Sequence, residues 1–326
     1  MTRLSDSFQR PLNYLRVSVT DRCNLRCVYC MPPEGILLLS HEEILHYEEI
    51  CTIAQAAAEL GIVKIRLTGG EPLVRSGLTN LVAMLSQIRG IDDISLTTNA
   101  ELLERFAADL KSAGLHRVNV SLDSLRSDRF QSITRVGRLD NVLRGIGAAK
   151  NAGLGPVKTN TVVIRGVNDD EVIAFAQLTI EEDWHVRFIE YMPFANGDDA
   201  ADDLLVPISE IKRNIETLGR LEPTYDSGGG PAKYFRLQGS KGTIGFISPV
   251  SEHFCAACNR LRLTADGKLR PCLFSDDEID LRGPLRDGAG VGDIKRLIRE
   301  AASCKPEGHM LKIGVSCERF MAQIGG

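Results

Sequence analysis

The sequence has few aromatic residues, no strong excess of charge and no long hydrophobic run. Aromatic side chains make up 6% of its 326 residues, and 39 Lys and Arg nearly balance 43 Asp and Glu, for a net charge of −4. This balance disfavours a protein that binds nucleic acid through global positive charge. No run reaches the ~18–20 residues that cross a bilayer. Residues 1–14 lack the apolar core of a signal peptide, so we expect a cytoplasmic chain that does not act at a membrane.

The hydrophobic content of 43% is enough for a sizeable core, and it is arranged as alternating strand and helix patterns. Helices are predicted over 40–60, 101–113 and 139–152, each followed by a glycine, and Ser40 with Glu43 matches a capping box. Six hydrophobic runs predict the strands Leu15–Val19, Val63–Leu67, Ile94–Thr98, Val118–Leu122, Val157–Ile164 and Val186–Ile189. This alternation favours a parallel sheet with right-handed crossovers.

The first four predicted strands each have one polar face. In the second strand, for example, Ile65 and Leu67 alternate with polar residues. A parallel strand that is covered on both faces should be hydrophobic on both. The simplest arrangement is therefore a curled, barrel-like sheet whose polar side surrounds a ligand site. Positive charge would be placed there by Lys64, Arg66, Arg16 and Lys158, which indicates an anionic ligand. An antiparallel sheet with one wet face is the alternative, and the intervening helices disfavour it.

Nine cysteines in a reduced chain indicate metal binding or catalysis rather than disulfides. Cys23, Cys27 and Cys30 form a C-x3-C-x2-C run after the first predicted strand. Three thiolates at this spacing can hold three corners of a [4Fe–4S] cluster and leave the fourth iron open. A structural zinc site is the alternative, but it needs a fourth ligand, and no other Cys or His lies nearby in the sequence.

A second cysteine triad follows the spacing C-x2-C-x13-C and consists of Cys255, Cys258 and Cys272. The turn residues 265–268 predict a hairpin that places Cys272 opposite Leu261, close to Cys258. Zinc is the alternative here too, with His253, Cys304 or Cys317 as the fourth ligand.

Two arginines lie within the same segment, between Cys258 and Cys272. Arg260 and Arg262 project from one side of a predicted strand and suit a phosphate group, which guanidinium binds through two hydrogen bonds.

The regular alternation of strand and helix patterns ends at about residue 221, where glycine, proline and short strand patterns replace it. We therefore expect two domains, 1–220 with the parallel sheet and 221–326 with the second triad.

The first cysteine run, with Tyr29 before its last cysteine, resembles the signature of radical S-adenosylmethionine (SAM) enzymes. The segment Thr68–Pro72, TGGEP, resembles the glycine-rich segment that binds the methionine end of SAM in that superfamily. The second triad, the segment NRLRL at 259–263 and the final Gly-Gly make the resemblance narrower. From residue 16 to residue 326 the chain is similar to the molybdenum-cofactor biosynthesis A family.

The resemblance implies an α/β fold, an incomplete (β/α)6 TIM-like barrel of the radical SAM type with a C-terminal iron–sulfur cluster domain. It implies two [4Fe–4S] clusters, SAM as cofactor, and conversion of GTP to (8S)-3′,8-cyclo-7,8-dihydroguanosine 5′-triphosphate. It further implies a flavodoxin- or ferredoxin-like electron donor, a downstream cyclic pyranopterin monophosphate synthase and a homodimer. Another two-cluster radical SAM enzyme, acting on a peptide, and a non-catalytic zinc-stabilised nucleic-acid-binding module are the alternative hypotheses.

The resemblance also assigns residues by their match to the family pattern. The six triad cysteines match cluster ligands. The positions that match SAM contacts are Tyr29, Gly70, Ser121 and Met192. The positions that match GTP contacts are Arg16, Arg66, Thr97, Lys158, Arg260, Leu261 and Arg262. Arg187, Gly325 and Gly326 are candidates for supporting roles in catalysis.

Overall fold

A computed structural model describes residues 3–192, 201–225, 230–309 and 319–325; Gly326 and Cys317 lie outside them. All six predicted strands and the three predicted helices are present, within a few residues of the expected bounds except at the first helix. No helix of the described chain is long and apolar enough to cross a membrane.

The strands are β1 Tyr14–Ser18, β2 Lys64–Thr68, β3 Asp93–Thr98, β4 Arg117–Ser121, β5 Lys158–Val163, β6 His185–Glu190, β7 Leu221–Thr224, β8 Lys233–Leu237, β9 Thr243–Ile247, β10 Arg260–Leu263, β11 Lys268–Arg270 and β12 Ile279–Asp280. The helices are α1 Tyr47–Glu59, α2 Leu78–Ser86, α3 Leu103–Ser112, α4 Ser127–Thr134, α5 Leu139–Asn151, α6 Val172–Glu181, α7 Ala201–Leu204, α8 Ile208–Ile215, α9 Arg282–Arg286, α10 Val291–Ser303 and α11 Met321–Ile324.

These strands form one sheet in the order β12-β11-β10-β1-β2-β3-β4-β5-β6-β9-β8-β7. Pairing is parallel from β10 through β1–β6 to β9 and antiparallel toward both ends. The fold is therefore the expected incomplete (β/α)6 barrel, with C-terminal strands extending it at both edges. Because those strands continue the same sheet, the division at residue 220 stays a prediction.

The two faces of the parallel strands differ as the sequence predicted. Val17, Leu67 and Leu96 are fully buried in the hydrophobic core, to which the helices contribute their apolar residues. Side chains at alternate positions, such as Arg16 and Thr97, point instead into a cavity. The polar face of the sheet is thus the wall of a site rather than a wet outer surface.

Helix α1 begins seven residues later than predicted. Ser40 and Glu43 do make the capping contact, with the Ser40 N–H donating to Glu43 Oε2 at 2.8 Å, but this contact closes only a turn. The chain then extends, because the Leu45 N–H donates to the carbonyl of Ala265 at 2.9 Å and Leu45 is buried. The observed helix is capped by a second acidic residue, Glu49, whose Oε2 accepts the N–H of the N-cap residue His46 at 2.6 Å.

The hairpin that follows β10 forms at the predicted turn, but its register differs by one residue from the expected one. Arg262 lies opposite Arg270, which sets Cys272 level with Arg260 rather than with Leu261. The cause lies in the turn, where Gly267 has a φ of 82° and the Thr264 N–H donates to the carbonyl of Lys268. Cys272 still lies beside the segment that carries Cys258.

Candidate functional site

The cavity on the polar face brings together residues from the C-terminal parts of the strands and from the loops that follow them. Both cysteine triads line it. Of the other candidates, the lining includes Tyr29, Gly70, Ser121, Met192, Arg16, Arg66, Thr97, Arg187, Arg260 and Arg262. Residues distant in sequence therefore form one site, as the polar strand faces predicted.

The loop after β1 that carries the first triad is held by its backbone. The N–H groups of Arg26 and Val28 donate to the carbonyls of Thr134 and Ile133 at 3.1 and 3.0 Å, which docks the loop on the end of α4. Burial raises the pKa of the Cys23 thiol to about 11 and that of Cys30 to about 12. These thiols are therefore neutral until a metal displaces their protons.

Tyr29, within this loop, is fixed by a buried carboxyl group. Its hydroxyl donates to Asp123 Oδ2 at 2.7 Å, and Asp123 Oδ1 accepts the Val162 N–H at 2.8 Å. Burial raises the pKa of Asp123 to about 6. Asp123 was not among the sequence candidates, although it lies two residues beyond Ser121 on the same strand face and lines the cavity. Through these two hydrogen bonds, Asp123, just after β4, connects β5 to the first cysteine loop.

The two glycines of TGGEP are required by a close approach of two loops. A Cβ on Gly69 would lie 2.6 Å from the carbonyl oxygen of Thr20, and a Cβ on Gly70 would clash with the carbonyl oxygen of Arg22. The Gly70 N–H donates to the Thr20 carbonyl at 2.7 Å. The glycines thus pack β2 against the start of the cysteine loop, besides lining the cavity.

We expect Gly70→Ala to lower the free energy of unfolding by about 3 kcal/mol, because backbone atoms cannot move aside cheaply. Gly147→Ala is the matched control: Gly147 lies in α5 with nothing within 4 Å of its added Cβ. That variant should be stabilised by roughly 0.5–1 kcal/mol. Chemical denaturation of both proteins measures the difference, and equal effects would contradict the close-approach explanation.

The second triad lies beside a buried lysine that donates to backbone carbonyls. Lys305, 3% exposed, donates from Nζ to the carbonyls of Arg260 and Pro271 at 3.0 and 2.6 Å. Burial opposes ionisation of the Cys258 thiol, but Arg260 and Lys305 outweigh it and lower its pKa to about 6. Cys258 therefore ionises far more readily than the thiols of the first triad. Nothing in the sequence around residue 305 indicated this role.

Neither triad is arranged as a mononuclear metal site. Within the described residues, no three Cys, His, Asp or Glu side chains are grouped to hold one metal ion. A [4Fe–4S] cluster makes a different demand, because each of its thiolate ligands binds a separate iron. Two groups of three cysteines facing one cavity fit that demand.

Five arginines concentrate positive charge in the cavity, namely Arg16, Arg66, Arg187, Arg260 and Arg262. Arg66, Arg187 and Arg262 are each 6–7% exposed. Within the described chain, Nε of Arg66, Nε and Nη2 of Arg187 and Nη1 of Arg262 have no hydrogen-bond partner. Burial and the neighbouring Arg260 lower the pKa of Arg262 to about 10. Buried charges without partners are unfavourable unless an anion binds them, so the cavity is suited to a ligand of high negative charge.

Lys158, Leu261 and Gly325 are not among the residues that line the cavity. Lys158 is on the cavity-facing side of β5 but deeper than the lining, with Nζ 5.2 Å from the Tyr234 ring. The Leu261 side chain is fully buried in the hydrophobic core. Gly325 lies beside the lining, and its carbonyl accepts a hydrogen bond from Nη2 of the lining residue Arg16 at 3.0 Å. Gly326 lies outside the described residues.

Tyr14 is a cavity residue that the sequence analysis missed. It is 4% exposed and lines the cavity, and the guanidinium carbon of Arg66 lies 5.6 Å from its ring centroid. Burial opposes ionisation of its hydroxyl, but Arg66 and the other arginines outweigh it and lower the pKa. Its position two residues before Arg16, on the same strand face, was the available signal.

Comparisons with known proteins agree with this architecture. The profile of the radical SAM superfamily matches residues 17–179, and the profile described as Molybdenum Cofactor Synthesis C matches residues 184–311. Proteins named GTP 3′,8-cyclase from Pelotomaculum thermopropionicum and Moorella thermoacetica are 57% and 53% identical to the chain, over 99% of it and 100% of each relative. Streptococcus suis SuiB bound to S-adenosylmethionine shares the fold, with a TM-score of 0.60 at 14% identity over 93% of this chain and 77% of that one.

Proposed function

The chain belongs to the GTP 3′,8-cyclase family of the radical SAM superfamily, and from that membership we propose that it converts GTP to (8S)-3′,8-cyclo-7,8-dihydroguanosine 5′-triphosphate. This reaction is the first step of molybdenum-cofactor biosynthesis. The observation that carries the proposal is a single cavity lined by both cysteine triads and by five arginines.

The first triad would hold a [4Fe–4S] cluster, and Tyr29, Gly70, Ser121 and Met192 would hold SAM beside it. When bound, these groups would supply the one-electron radical chemistry that removes the hydrogen atom from C3′ of GTP. The protein excludes water and fixes distances. The Asp123 contact serves this purpose by preventing Tyr29 from rotating away from the loop.

The second triad would hold a second [4Fe–4S] cluster, for which Lys305 and Arg260 favour the ionised Cys258. Arg16, Arg66, Arg260 and Arg262 would bind the triphosphate, with Thr97 and Lys158 as further contacts. Binding energy from a part of the substrate that does not react can hold the ribose near the radical. Arg187 would act as a supporting group in the same cavity.

The remaining parts of the proposal concern partners and location. They comprise a flavodoxin- or ferredoxin-like electron donor, a downstream cyclic pyranopterin monophosphate synthase, a homodimer and a cytoplasmic reaction. A two-cluster radical SAM enzyme acting on a peptide is the alternative. The arginines favour a compact polyanion over a peptide, because guanidinium groups pair bidentately with phosphate.

The test is formation of 5′-deoxyadenosine by the anaerobically reconstituted protein, with SAM and a reductant, with and without GTP. We expect strong stimulation by GTP and formation of the cyclised nucleotide. Cleavage that GTP does not change would support a different substrate. No cleavage from protein with verified iron and sulfide would contradict the radical SAM chemistry itself.

A further inference from the structure

The C-terminal segment 319–325 lies against the cavity that both triads line. Met321 and Ala322, in helix α11, form part of the wall of the cavity that Cys30 also lines. At the end of the segment, Gly325 has a φ of 76°, and its added Cβ would lie 2.9 Å from Thr68 Cγ2. The segment therefore occupies a closely fitted position beside the first cysteine loop.

One arginine connects this segment to the rest of the chain through carboxylates. Arg319 Nη1 and Nη2 donate to the two carboxylate oxygens of Asp266 at 3.1 and 2.9 Å, and Nη2 also donates to Glu278 Oε2 at 2.8 Å. The three side chains are only 12–22% exposed. Such a bidentate, partly shielded contact is much stronger than an exposed ion pair. We name Arg319, Asp266 and Glu278 the tail anchor.

The carboxylates of the tail anchor are themselves fixed. Thr264 Oγ1 donates to Asp266 Oδ1 at 2.5 Å, and Arg270, 1% exposed, donates to Glu278 Oε1 at 2.5 Å. Asp266 lies in the turn between β10 and β11, the hairpin flanked by Cys258 and Cys272. The tail anchor therefore ties the C-terminal segment to the same hairpin that positions the second triad.

The other contacts of the segment are single hydrogen bonds and buried apolar side chains, such as those of Ala322 and Ile324. The Phe320 N–H donates to Gln323 Oε1 within the segment, and Gly325 accepts single hydrogen bonds from Arg16 and Thr68. A single helical turn is not stable by itself in water. Within the described residues, Arg319 supplies the segment's hydrogen bonds to carboxylates, so that its loss should loosen the segment.

We propose that Arg319, through Asp266 and Glu278, is a positioning residue that keeps the C-terminal segment in the cavity while the reaction proceeds. Its kinetic consequence rests on the proposed function. Without the tail anchor, the segment leaves, Arg16 loses the Gly325 carbonyl, and water reaches the first cysteine loop past Met321 and Ala322. The ribose of GTP is then held less firmly, so that SAM cleavage becomes less coupled to cyclisation and 5′-deoxyadenosine exceeds the cyclised nucleotide. The hydrogen atom then comes from C–H groups of the reductant or buffer, because the O–H bond of water is too strong to supply it.

The experiment compares the full-length reconstituted enzyme with Arg319→Gln, Asp266→Asn and the double variant. Amide hydrogen exchange should be at least about tenfold faster at residues 319–325 in each variant, the effect of losing a charge-assisted hydrogen bond. The ratio of 5′-deoxyadenosine to cyclised nucleotide should rise, with iron content unchanged. The double variant should be no worse than either single variant, since all three lack the same contact.

Arg144→Gln is the control, because it removes an exposed ion pair with Glu104 far from the cavity and should change neither readout. Arg319→Lys keeps the charge but loses the bidentate geometry, and it should fall between Arg319→Gln and the unmodified chain. If Arg319→Gln does not fold, Arg319→Lys replaces it as the test of the tail anchor. Unchanged exchange at 319–325 in these variants would overturn the proposal. Because exchange is measured without GTP, this result is distinguishable from failure of the proposed function.

Discussion

Cys27→Ser is expected to reduce SAM cleavage more than a hundredfold. Cys27 is the central cysteine of the first triad, and its loop is fixed by the Arg26 and Val28 backbone contacts to α4. A serine hydroxyl stays protonated and binds iron poorly, whereas the thiolate is the usual cluster ligand. Loss of contacts outside a metal's own ligands already reduces function about 10–100-fold, so loss of a ligand should exceed that.

The measurement is 5′-deoxyadenosine formation together with iron and sulfide content. Cys27→Ser should lose about half of the iron if each triad holds one [4Fe–4S] cluster. Cys304→Ser is the matched control, because Cys304 is an exposed cysteine at the end of α10 and should leave both values unchanged. Full cleavage activity in Cys27→Ser would remove the first triad from the cluster assignment.

Arg262→Met is expected to weaken GTP binding and stabilise the protein at the same time. The KM for GTP should rise about tenfold or more, because one charge-assisted hydrogen bond to the triphosphate is lost. In the absence of GTP, the free energy of unfolding should rise by up to about 3 kcal/mol. Arg262 is buried beside Arg260, and both effects lower its pKa to about 10.

The sign follows from protonation. The lowered pKa means that the charged form of Arg262 is less stable in the folded protein than in the unfolded chain. This difference destabilises the fold, and at pH 7, where Arg262 is charged in both states, it is fully present. It disappears as the pH rises from about 10 toward the unfolded value. Methionine keeps a similar volume without the charge. Denaturation and steady-state kinetics test the two effects, with Arg144→Met as control. A destabilised Arg262→Met protein with unchanged KM would contradict the anion site.

The patterns that the sequence predicted correctly share a local physical basis. Strand alternation, such as Val17 against Arg16, is imposed by the two-residue period of a strand and survives in any sheet that covers one face. Cysteine spacing is similar, because three thiols within eight residues are close whatever the surrounding fold. The predicted start of α1 at Ser40 was wrong because of a tertiary contact, that of Leu45 with Ala265, whereas the register of the β10–β11 hairpin was set by the backbone geometry of its turn at Gly267.

By itself, the sequence determined the alternation of strands and helices, the polar faces and the two cysteine triads, because each is a property of neighbouring residues. Only the tertiary structure decided that β10 pairs with β1, which places Arg260 and Arg262 beside Arg16. It alone showed that Lys305 adjoins Cys258 and that Arg319 binds Asp266. The physical reason is that pairing between distant segments follows from the summed packing of the whole chain.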